Sequence, residues 1–97
     1  MSVMVDFSIF PVDKGEELSG YVARAVKIIR DSGLDFTLGS MGTCIEGEWD
    51  DVMAVIGRCF KELKQDCNRL NLAIKVDYRK GRSGRMAAKV KSVESKL

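Results

Sequence analysis

Two stretches of strict period-two alternation bracket this chain and constrain its fold more than any other feature. At the amino-terminal end Val3, Val5, Phe7 and Ile9 share one side, and Met4, Asp6, Ser8 and Phe10 the other. Near the carboxyl-terminal end Leu70, Leu72, Ile74, Val76 and Tyr78 alternate with Asn71, Ala73, Lys75, Asp77 and Arg79. Successive strand side chains point to opposite faces, so each stretch is a strand with one apolar face. Pro11 ends the first, because proline has no N–H for a ladder.

Between them lie two helical patterns. Leu18, Val22, Ala25 and Ile29 recur at spacings of four, three and four, with Gly33 placed to stop the helix. Val52, Ile56, Phe60, Leu63 and Cys67 are the expected buried stripe of a second helix, opened by Asp50 and Asp51 at the positive end of its dipole. Two short strands separate the helices, Asp35 to Gly39 and Thr43 to Glu46, joined by the turn Ser40-Met41-Gly42. Lys80-Gly81-Arg82-Ser83-Gly84 is turn chemistry, and Met86, Val90, Val93 and Leu97 then line one side of a short basic helix.

The order is βαββαβ with a terminal helix. Right-handed crossovers put both long helices on one face of the sheet. The expected fold is therefore an α+β, ferredoxin-like sandwich with a four-stranded antiparallel sheet, a single domain over residues 1–97. The other sheet face stays bare and partly apolar, which calls for a partner, and in so small a chain a second copy would also add stability.

Composition limits the chemistry. The 97 residues include no histidine, which removes Ser-His and Cys-His pairs and imidazole metal sites. Cys44, Cys59 and Cys67 form no CxxC pair, so neither a zinc site nor a disulfide framework is indicated. No apolar run approaches the ~20 residues of a membrane span, and no basic segment leads an apolar one at the amino terminus. A cytoplasmic protein without metal or cofactor is expected. The net charge of +2 is divided: residues 1–68 carry seven Lys and Arg against twelve Asp and Glu, and residues 69–97 carry nine against two. That asymmetry suits either an anion-binding tail or a contact between subunits.

Several candidate sites can be weighed. Gly81-Arg82-Ser83-Gly84-Arg85 lacks phosphate-loop spacing and reads as a solvated basic loop. RNA readers of this architecture stack bases on aromatics in central strands, and Thr43-Cys44-Ile45-Glu46 has none, so no nucleic-acid partner is expected. Val12-Asp13-Lys14-Gly15 does not supply the Arg and Asn cradle of an acylphosphatase. The stretch Ser40–Trp49 carries more polar chemistry than a turn requires, with Ser40, Thr43 and Glu46 among its glycines. Asp6 and Ser8 are either solvated on the open face or, if that face is covered, buried groups that need hydrogen-bond partners.

Taken in order, these pieces resemble a known family. Pro11 closing the first strand, Leu18-Ser19-Gly20-Tyr21-Val22-Ala23, Ser32-Gly33-Leu34, Met41-Gly42-Thr43, Ile45-Glu46-Gly47-Glu48, Ile74-Lys75-Val76-Asp77 and Lys89-Val90-Lys91-Ser92-Val93-Glu94 together are similar to the small thiamine-binding proteins, single-domain relatives of the YkoF-like hydroxymethylpyrimidine binders. Cys44 and the loop 80–85 fall outside that pattern. The resemblance implies a non-catalytic, cytoplasmic homo-oligomer, dimer or tetramer, that binds thiamine or its aminopyrimidine half at a subunit interface. An aminopyrimidine presents ring nitrogens and an exocyclic amine. Asp6 or Glu46 would accept from it, Ser8 and Thr43 would donate or accept, and Phe10 or Met41 would stack on it. Parity places Thr43 and Glu46 on opposite faces of a regular strand, so one ligand reaches both only if Gly42 or Gly47 marks a bulge or strand end. The alternatives are an ACT-like module binding an amino acid and a purely structural oligomer.

Overall fold

A computed structural model describes residues 2–81 and 83–97. Strand β1 (Ser2–Pro11) leads to helix α1 (Ser19–Asp31), and the short strand β2 (Asp35–Leu38) turns back into β3 (Thr43–Glu48). Helix α2 (Trp49–Lys64), strand β4 (Leu70–Tyr78) and helix α3 (Arg85–Glu94) complete the chain. The sheet order is β2-β3-β1-β4 with every neighbouring pair antiparallel. This is the ferredoxin-like sandwich, with α3 appended. Arg82 of the basic loop lies outside the described residues.

The core follows from register. Val5 stands opposite Ile45 on one side and Val76 on the other, and Phe7 opposite Thr43 and Ile74. One apolar row therefore runs along the helix-facing side of the sheet, with Val5 and Ile45 fully buried under the helices. From α1 come Ala25 and Ile29, and from α2 Val52, Val55, Ile56, Cys59 and Leu63. Two of these depart from the stripe read off the sequence. Phe60 is exposed at the surface, where the Lys64 ammonium lies over its ring, while Val55 and Cys59 turn inward. A strict spacing of four advances 400° and drifts about 40° per step around a 3.6-residue helix. Starting from Val52 and Ile56, that drift carries Phe60 off the buried face.

Local chemistry sets the ends. Gly33 takes a left-handed φ of +81° just after α1, where Ser32 Oγ donates to the Ile29 carbonyl at 2.5 Å and accepts the Leu34 N–H at 3.2 Å. Arg24 ties the helices together: its terminal nitrogens each reach an oxygen of Asp66 at 2.9 Å, and its Nε donates to Glu62 at 3.3 Å. That bidentate pair holds the Asp66 carboxyl below its ordinary value.

The helix layer stops short of one edge. Leu70 and Leu72 pack against the core, but Ile74, Val76 and Tyr78 on the same side of β4 are 45%, 38% and 51% exposed. Helix α3 buries no side chain of its own. Among the described residues no helix is long and apolar enough to cross a membrane.

Candidate functional site

A mismatch in strand length opens a cavity at one end of the sheet. β1 runs to Pro11 and stays paired with β4 to its end, whereas β3 pairs with it only over Ser2–Phe7. Among the described residues no strand lies beside the β3-side edge of β1 beyond Phe7. The hairpin loop from Leu38 to Thr43 and helix α1 close around that gap, leaving a pocket of about 340 Å³.

Five of the seven residues singled out in the sequence line it: Ser8, Phe10, Ser40, Met41 and Thr43. Thr43 is 4% exposed and faces the helix side, while Met41 is 90% exposed at the surface end. Ser8 and Phe10 have open-face parity, yet they reach the same cavity because it passes around the end of β3. The remaining wall comes from Leu18, Val22, Val26 and Leu38, with Ala25 and Ile29 deeper in. The sequence marked Leu18, Val22, Ala25 and Ile29 only as a helix stripe. The apolar Val26 beside them is the one signal that the stripe is wider than a core contact needs.

The other two candidates lie elsewhere. No bulge interrupts β3, so Glu46, opposite Met4, stands on the face away from Thr43. It is 6% exposed, and its oxygens accept the backbone N–H groups of Arg85 at 2.7 Å and Met86 at 3.3 Å. Those are first-turn donors of α3, whose preceding residue, Gly84, provides no side-chain cap. Glu46 thus caps a helix from a neighbouring strand. Asp77, also on that face, takes Arg85 at 2.9 Å and contacts the Lys89 ammonium, and these two cations hold its carboxyl below the usual range. Asp6 is exposed on the same side, between Cys44 and Lys75 in register.

The pocket has room for a small, mostly apolar group. Its walls are apolar, with three hydroxyl-bearing side chains and an unpaired strand edge for hydrogen bonds. Burial pushes the Cys59 thiol up to about 11 and raises Cys44 as well, so neither is an activated thiolate. Among the described residues no cluster of His, Cys, Asp and Glu is arranged to hold a metal.

Residues 5–94 match the model of the family described as thiamine-binding protein. The UPF0045 protein Mb1933 of Mycobacterium bovis is 41% identical over 98 residues, covering all of this chain and 96% of the relative. The UPF0045 protein sll0230 of Synechocystis is 35% identical, covering all of this chain and 81% of the relative. Among solved structures, the hypothetical protein MJ1052 of Methanocaldococcus jannaschii superposes with a TM-score of 0.89 at 27% identity, over 96% of each chain. A proposed thiamine biosynthesis/salvage protein of Thermotoga maritima superposes with a TM-score of 0.83 at 24% identity, over 95% of this chain and 99% of that one.

Proposed function

Because the chain belongs to the thiamine-binding protein family, we propose that it is a non-catalytic, cytoplasmic binding protein for thiamine or its hydroxymethylpyrimidine half, working as a homo-oligomer. The observation that carries this reading is the pocket between α1 and the end of β3. It gathers Ser8, Phe10, Ser40, Met41 and Thr43 into one apolar slot with a bare strand edge.

An aminopyrimidine ring is flat and edged with nitrogens. Apolar walls take its faces, with Phe10 and Met41 the stacking groups. The hydroxyls of Ser8, Ser40 and Thr43 and the β1 backbone edge satisfy its perimeter. Glu46, already committed to α3, takes no part. Leu38 and Met41 are strongly exposed beside the pocket, which favours a second copy closing it.

Calorimetric titration tests the reading. Thiamine or hydroxymethylpyrimidine should bind and raise the melting temperature, by mass action on the native state. Thr43→Val keeps the shape and removes the hydroxyl, and should weaken binding by about 1 kcal/mol, roughly fivefold. No heat from either compound at millimolar concentration, or a response to amino acids instead, would overturn it.

A further inference from the structure

A second hollow adjoins the pocket and differs from it in charge. It runs along the outer side of α1 from Ser19 to Arg30, bordered by Leu38 and Ser40, and it shares Val22, Val26, Leu38 and Ser40 with the pocket. Among the described residues the pocket has no charged side chain in its wall, whereas the groove has two, Lys27 and Arg30, both cations. Arg30 gives its Nε to Asp31 at 3.2 Å. Among the described residues neither its two terminal nitrogens nor the Lys27 ammonium donates to an acceptor.

We infer that this groove is an anion subsite, which takes the phosphate of a ligand whose aromatic ring sits in the adjoining pocket. The inference rests on the reading of that pocket as an aminopyrimidine site. Hydroxymethylpyrimidine carries a primary alcohol, and esterifying it places a dianion one short arm from the ring. Two cations at spacing i and i+3 lie on one side of a helix and can meet such a group together. Arg30 offers a planar pair of donors and Lys27 a compact charge, the two usual ways of holding a phosphate. The same charges disfavour a cationic group there, so the groove separates the phosphorylated pyrimidine from thiamine, whose second ring is a thiazolium.

The test is a calorimetric comparison, at low salt, of hydroxymethylpyrimidine with its phosphate monoester. The ester should bind about five- to tenfold more tightly, and the advantage should shrink as salt rises, as expected for exposed charges. Lys27→Gln with Arg30→Gln should bring the ester's affinity down to that of the alcohol. Both side chains are exposed, so the variant should keep the wild-type melting temperature. Lys75→Gln, on the opposite sheet face, should keep the preference. Equal or weaker binding of the ester, or a preference that survives the paired substitution, would refute the subsite while leaving the pocket reading in place. If thiamine binds while neither of these compounds does, the subsite alone falls; if none of the three binds, both readings fall.

Discussion

Glu46 is almost fully buried on the sheet face opposite Thr43. A buried carboxylate must be satisfied, and here the donors are two backbone N–H groups at the start of α3. The positive end of that helix adds a favourable field. Helix α3 buries none of its own side chains, so Glu46 and the ion pairs of Asp77 carry most of its attachment. Glu46→Ala should therefore cost about 1–2 kcal/mol, the range for loss of a helix cap. The loss should be local: hydrogen exchange should speed up over 85–94 while the core amides of β1 and β3 keep their protection. Uniform loss of protection would contradict this. Acid should act similarly through Asp77. Its carboxyl in the folded protein lies below the ordinary 3.8, so its contribution is present above that value and fades as pH falls through the lowered one.

At the scale of the element, the β2–β3 hairpin is the part with least room for change. Gly39 donates its N–H to the Gly42 carbonyl at 2.8 Å, and a Cβ on Gly39 would sit 2.9 Å from that same oxygen. A Cβ on Gly42 would come within 3.0 Å of the Phe7 carbonyl oxygen, which the β1 ladder holds in place. Gly42→Ala should then destabilise by roughly 1–3 kcal/mol, as overpacking does, and should distort the pocket. Gly57 is the control: it lies inside α2 with nothing within 4 Å of a Cβ, so Gly57→Ala should stabilise by about 0.5–1 kcal/mol. Denaturant titration of the two variants reads both signs. Most elements were legible in the sequence because period and punctuation are local properties. Alternation located β1 and β4, and the stripes with Gly33 located α1 and α2. The pocket was legible only in its residues. Its cause, β3 beginning only at Thr43, opposite Phe7, while β1 continues to Pro11, is a relation between strands far apart in sequence. The seat of α3 was hidden for the same reason, since it depends on a strand about 40 residues upstream.

Among the described residues, apolar or half-covered surface remains on both sides of the sheet. Val90, Val93 and Leu97 form an exposed stripe on and just beyond α3, at 58%, 61% and 99% exposure. Ile74 and Val76 lie beyond the reach of the helix layer at the β4 edge, and the far sheet face presents Met4, Ser8 and Phe10 half-buried and Ala73 exposed. A chain of 97 residues gains little from leaving such area in water, because its single core offers a thin stability margin. The charge division points the same way, with a carboxyl-terminal segment of net +7 and a remainder of net −5. Opposite signs on different parts of one chain favour association between copies. Light scattering after size exclusion should therefore give a dimer or tetramer at micromolar concentration. Val90→Glu with Val93→Glu places two carboxylates on the helix stripe and should shift the mass toward monomer. Both positions are exposed within the subunit, so its own fold should tolerate the change, and a stable wild-type monomer would remove the premise.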